Sequence, residues 1–116
     1  MNTICKIRDI YMAIGEFETY FVKEFNLSLN EGMLLCSLQE KGELTSTSLA
    51  KELQLTCSNT SKVIKSVEEK EYIERKLGKE DKREMRFSLT PKGNDVINHI
   101  KASKIEIPKE LKRVLK

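Results

Sequence analysis

The sequence predicts a mainly helical fold with one small β-hairpin, and three observations carry that prediction. Apolar residues recur at steps of three and four along most of the chain, the period of helices with one buried face. After Tyr72-Ile73 the period changes, and Met85, Phe87 and Leu89 alternate with Arg86 and Ser88 as a half-buried strand requires. The charged run Gly78-Lys79-Glu80-Asp81-Lys82-Arg83 supplies the tip between two such strands.

The first helix is long. Ile4, Ile7, Tyr11, Ile14, Phe17, Phe21 and Phe25 mark its stripe, and Gly15 in the middle costs about 1 kcal/mol against alanine. Asn26-Leu27 breaks the pattern. Ser28-Leu29-Asn30-Glu31 has the form of a capping box, in which the hydroxyl and the carboxylate satisfy free backbone N–H groups reciprocally. It opens a second helix through Met33, Leu34, Leu35 and Leu38, which stops near Gly42. Leu44-Thr45 is a short extended bridge, and Thr45 or Ser46 caps a third helix containing Leu49, Ala50 and Leu53. A turn at Gln54-Leu55 leads to Thr56, the cap of a fourth helix from Cys57 to about Lys70. Two short helices across a tight turn form a helix-turn-helix.

In the hairpin that follows, Ile73 and Leu77 are expected to point into the core. Thr90-Pro91 starts a fifth helix with Val96, Ile97 and Ile100 on its apolar side, the proline in its tolerated first position. After Pro108 a last short basic helix is expected through Leu111, Val114 and Leu115. The whole reads as a winged helix-turn-helix. Residues 1–116 are expected to form a single domain, with 28–90 its winged part and helices at 1–26 and 91–116 on either side.

Composition narrows the function classes. A chain of 116 residues has room for one domain and buries a modest core, so association is a common way to bury more. There is no signal-peptide pattern and no apolar run of membrane-spanning length, so a cytoplasmic protein without a membrane partner is expected. The three cysteines are far apart with no C-x-x-C pair, and His99 is the single histidine. Neither a disulfide framework nor a metal site is expected, and no cofactor. No Gly-rich phosphate loop or nucleophile elbow is present, so an enzyme is not expected. The net charge of +3 is unevenly spread: residues 1–45 hold four Lys/Arg against seven Asp/Glu, residues 46–93 eleven against eight, and residues 94–116 six against three. That asymmetry suits a polyanion on one side of the molecule.

The fourth helix carries the chemistry. Thr60, Val63, Ile64 and Val67 sit at core spacing, while Ser58, Asn59, Ser61, Lys62, Lys65 and Ser66 occupy the other side. Small hydroxyls and an amide allow close approach to the floor of a major groove, where Asn pairs bidentately with adenine, and lysines reach phosphates or guanine. No acidic residue stands between Thr56 and Val67. In the hairpin, Lys76, Lys79, Lys82, Arg83 and Arg86 crowd a ribbon suited to phosphate and the minor groove. Asp81, two residues before Arg83, is placed to orient its guanidinium. A solvated helix face and a merely soluble hairpin are the competing readings of the same residues.

Leu49-Ala50-Lys51-Glu52-Leu53, Thr56 through Glu68, Ile73-Glu74-Arg75, Asp81-Lys82-Arg83 and Leu89-Thr90-Pro91-Lys92-Gly93 together resemble the MarR family of bacterial transcriptional regulators, over roughly residues 28–97. The Asp-x-Arg followed by Leu-Thr-x-x-Gly is the most specific part. The resemblance implies a homodimer, assembled through the N- and C-terminal helices, that binds double-stranded DNA at a pseudo-palindromic operator, usually as a repressor. Helix 57–70 would enter the major groove and the wing at 78–86 the minor groove. By position, Ser58, Asn59, Ser61 and Lys62 fall on the family's base-reading helix, Arg83 on its minor-groove arginine and Asp81 on the supporting acid. The resemblance also implies relief by a small-molecule effector or an oxidant. Tyr11, Phe17, Tyr20, Phe21 and Met33 are candidates to line an effector pocket, though core or dimer interface suits them better. Cys5 and Cys57 are the candidate redox sensors, Cys57 because it stands near a helix N-terminus among basic residues. The alternative function is a protein-interaction module that keeps the fold without specific DNA binding.

Overall fold

The computed structural model describes residues 2–78 and 84–115. The elements run α1 (Thr3–Phe25), α2 (Leu29–Lys41), β1 (Leu44–Thr45), α3 (Ser46–Leu53), α4 (Cys57–Glu69), β2 (Ile73–Leu77), β3 (Met85–Leu89), α5 (Pro91–Ala102) and α6 (Lys109–Lys112). They group into two compact units, one built from residues 30–102 and the other from the segments up to residue 29 and from residue 103 onward.

The larger unit is a winged helix-turn-helix. Its helices begin and end where local chemistry directs. Gly42, at φ +87°, ends α2 in a left-handed conformation that other residues rarely adopt, and its N–H donates to the Leu38 carbonyl. The Thr45 hydroxyl accepts the Ser48 N–H and so caps α3. Gln54 turns the chain at φ 52°, and the Thr56 hydroxyl accepts the Asn59 N–H to cap α4. Leu34, Leu35, Leu38, Leu49, Ile64, Val67, Ile73, Phe87, Ile97 and Ile100 are buried as its core.

The sheet has three antiparallel strands in the order β1-β3-β2. The bridge at Leu44-Thr45 thus completes what the sequence presents as a two-stranded hairpin, with Leu44 opposite Phe87 and Thr45 opposite Arg86. At the far end of the ribbon the Gly78 N–H donates to the Glu84 carbonyl at 2.7 Å, closing the base of the tip. Leu77 departs from expectation: it is 60% exposed, because burial along β2 is confined to Ile73 at its start.

In the smaller unit Phe17, Tyr20, Phe21 and Phe25 form a ladder of tilted rings along α1, with centroid separations of 5.0–6.0 Å. The Tyr20 hydroxyl accepts the Glu106 N–H. Asn26 ends α1 in the left-handed region at φ 54°. The C-terminal helix is shorter than expected. α6 is a single turn that stops at Lys112, and Val114 and Leu115 are exposed. Beyond it the Val114 and Leu115 N–H groups both donate to the Leu111 carbonyl, so the last described residues continue as a turn.

One junction explains the Leu-Thr-x-x-Gly sequence. The Thr90 N–H donates to the Tyr72 carbonyl at 3.1 Å, and its hydroxyl donates to the Glu71 carbonyl while accepting the Gly93 N–H. The first turn of α5 is thereby pressed onto the turn before β2, and a Cβ on Gly93 would lie 1.9 Å from the Tyr72 oxygen. Gly93→Ala is expected to destabilise the chain by about 3 kcal/mol in denaturant titration, although alanine is the better helix former by about 1 kcal/mol. A neutral or stabilised variant would show that this contact is not tight.

Candidate nucleic-acid interface

The two faces of α4 have separate environments. Thr60, Ile64 and Val67 are buried, and the Thr60 hydroxyl donates to the Thr56 carbonyl at 2.8 Å. Ser58, Asn59, Ser61, Lys62 and Lys65 are all exposed. Residues 58, 61, 62 and 65 follow the three-four spacing, so these hydroxyls and lysines share one outer face.

Ser66 does not join them. It turns inward and donates to the Glu31 carboxylate at 2.7 Å, and Lys70 donates to the same oxygen at 2.9 Å. Glu31 is only 6% exposed. The residue expected as half of a capping box ties the start of α2 to the end of α4. A carboxylate this buried requires its cation, since an uncompensated charge there costs several kcal/mol.

A cleft of about 440 Å³ runs between the outer side of α4 and the sheet, with Ser61 and Lys65 on one wall and Arg75 and Phe87 on the other. Arg75 reaches back to Glu68 through two parallel bonds, Nε to Oε2 at 2.7 Å and Nη2 to Oε1 at 2.5 Å. The carboxylate raises the Arg75 pKa above its ordinary value, chiefly through these hydrogen bonds. Glu68 and Arg75 fall within the stretches that carry the family resemblance, but the sequence does not pair them. The pairing itself is signalled only by opposite charge seven residues apart across a helix-to-strand turn, which no periodicity marks.

On the ribbon, Arg86 and Lys76 stand opposite one another in register. Arg86 pairs with Glu84 at 2.9 Å and Lys76 lies 3.8 Å from Glu74. Lys79, Asp81, Lys82 and Arg83 lie outside the described residues. Among the described residues, no group of three or more His, Cys, Asp or Glu side chains is arranged to hold a metal ion, and no helix is long and apolar enough to cross a membrane.

Comparison with known proteins settles the lineage. The sequence pattern of the MarR family matches residues 27–85. The uncharacterized HTH-type transcriptional regulator YpoP of Bacillus subtilis is 36% identical over 101 residues, which are 86% of this chain and 70% of YpoP. The chain belongs to the MarR family. Among solved structures, the transcriptional regulator BldR from Sulfolobus solfataricus is 25% identical with a TM-score of 0.75, over 99% of this chain and 95% of BldR. A cysteine-to-serine mutant of E. coli MarR, complexed with operator DNA, superposes with a TM-score of 0.72 at 19% identity, over 85% of this chain and 76% of that one. The latter likeness concerns the fold.

The sensor candidates of this MarR-family chain occupy different settings. Cys57 is exposed at the first position of α4, and Cys5 is half-buried on α1. Tyr11 is 75% exposed, whereas Phe17 and Tyr20 border a shallow cleft of about 240 Å³ with Ile107 and Pro108. Met33, in the other unit, is exposed at 39%. Cys36 is half-buried and donates to Glu40. Its thiol pKa is raised, first by burial and further by Glu40, against an opposing pull from Lys101.

The unfolded chain therefore loses the Cys36 proton before the folded chain does, and Cys36 lowers stability as pH climbs through the ordinary thiol range. Cys36→Ala is expected to flatten the alkaline fall in stability, measured as denaturation midpoints across a pH series. An unchanged slope would contradict the assignment.

Proposed function

We propose that this MarR-family chain is a sequence-specific double-stranded DNA-binding transcriptional regulator. In this reading it acts in the cytoplasm, without catalysis, as a homodimeric repressor of a pseudo-palindromic operator. The observation that carries the reading is the division of α4: one face buried to the last atom at Val67, the other an open strip of Ser58, Asn59, Ser61, Lys62 and Lys65 with no acid from Cys57 through Ser66. A helix of that kind enters a major groove, its short polar side chains at base edges and its lysines at phosphates. Residues 78–86 then lie at the flanking minor groove, with Asp81 supporting Arg83. The operator complex of the MarR mutant, which shares the fold, supports DNA as the partner.

A second copy is the proposed partner of α1. Ile4, Ile7, Tyr11 and Ile14 are 44–75% exposed at three-four spacing, an apolar strip left in water. In the dimer, two copies of α4 stand about one turn of DNA apart, roughly 34–36 Å.

Binding to duplexes selected from host DNA is expected to weaken steeply with salt, because neutralised phosphates release counterions. Lys62→Ala and Arg83→Ala are each expected to cost about 1–3 kcal/mol of binding in titrations. If both bind like wild type, the assigned surface is wrong, and absence of duplex binding at low salt would favour the protein-interaction module. The double variant Ile7→Glu with Tyr11→Glu is expected to sediment as a folded monomer. A wild-type chain that is already monomeric at binding concentrations would overturn the dimer.

A further inference from the structure

The bidentate pair between Glu68 on α4 and Arg75 on β2 lies beside the open strip of α4 without belonging to it. Glu68 is the first carboxylate on α4 after a run of residues chosen to face a polyanion, and it stands on the wall of the cleft that contains Lys65. A carboxylate there repels phosphate unless its charge is occupied. It is occupied: both oxygens are held by the Arg75 fork.

The partners belong to the two elements that must enter neighbouring grooves. Glu68 is in the last turn of α4, and Arg75 is the middle residue of β2. Arg75 is itself fixed from below. Its guanidinium carbon lies 5.5 Å from the ring centroid of Phe87, its cross-strand neighbour, and Phe87 is buried on the central strand of the sheet. The chain between them turns through Glu71 at φ 64°, so the short covalent connection alone is a strained turn and not a rigid strut.

With 53% of the Arg75 side chain exposed, the pair contributes little to stability. What a planar fork on a carboxylate does supply is fixed direction, since both N–H bonds are met only at one mutual angle.

We propose that Glu68 and Arg75 are positioning residues for DNA recognition, setting the angle between α4 and the ribbon so that helix and wing reach their grooves together. This deepens the DNA-binding reading and rests on it. Arg75 is then no phosphate contact, and the acid on α4 helps binding even though its charge opposes it.

The sign of one substitution tests this. Glu68→Gln removes a negative charge beside the DNA, so electrostatics alone would tighten binding, whereas loss of the fork loosens it. The probe is a duplex selected by the wild-type chain from a random-sequence pool, titrated over a salt series beside an unselected duplex of equal length. Thermal melts confirm that each variant is folded at the temperature used. Glu68→Gln and Arg75→Lys are each expected to weaken binding of the selected duplex roughly tenfold at unchanged salt slope, with less than about twofold effect on the unselected one. The exchange Glu68→Arg with Arg75→Glu is expected to recover most of the loss.

Equal or tighter binding by Glu68→Gln, or wild-type binding by Arg75→Lys, overturns the proposal while leaving the DNA-binding reading intact. A wild-type chain that selects no duplex overturns both.

Discussion

Four elements of the larger unit meet at the backbone of Tyr72, and their arrangement depends on what that residue's peptide groups bond to. Its N–H donates to the Val67 carbonyl and ends α4; its carbonyl accepts the Thr90 N–H and joins the end of β3 to the start of β2. Gly93 rests against the same carbonyl and fixes where α5 leaves the sheet. Both of these backbone groups find their partners inside the junction, which fixes where the four elements meet. The turn at Glu71 is held in a left-handed conformation by this accounting, with the Thr90 hydroxyl on its carbonyl.

With that junction set, α4 is free to be chemically asymmetric. Its inner face is bound by Thr60, Ile64 and Val67 and by the Glu31 carboxylate, which engages Ser66 and Lys70. Its outer face is left to water and to whatever the helix meets. The net charge of the segment understates this separation. Glu31, Glu68, Glu74 and Glu84 each lie against a cation in the structure. Each such pair cancels, and Lys62 and Lys65 remain on the open face, so positive charge is concentrated at the helix surface.

Most of the fold was legible in the sequence because it is written in local signals. Thr45, Thr56 and Thr90 each accept an N–H at the helix start they were expected to cap, and Gly42 ends α2 at a positive φ. The open strip on α4 was legible for the same reason, since helical spacing alone separates Ser58 and Lys62 from Ile64. What was not legible depends on tertiary pairing. Leu77 reads as a core residue by alternation, but β2 is buried at Ile73 alone and exposed from Glu74 to Leu77. Ser66 has outward spacing and turns inward because a buried carboxylate from a distant helix needs a donor. Leu44-Thr45 is too short to announce a strand until β3 lies beside it. Glu68 and Arg75 meet only because the register of the ribbon brings Arg75 over Phe87.

Thr45 has a consequence of its own. Through its backbone it belongs to the edge strand opposite Arg86, and through its hydroxyl it caps α3, accepting the Ser48 N–H and donating to the Ser48 hydroxyl. Strand edge and helix start are therefore one residue. A fluctuation that peels β1 from the sheet also uncaps the first helix of the helix-turn-helix, so the two open as a single cooperative unit. Amide protons at Ser48 and at Phe87, the residue opposite Leu44, are remote in sequence and are thereby linked in how slowly they exchange with solvent.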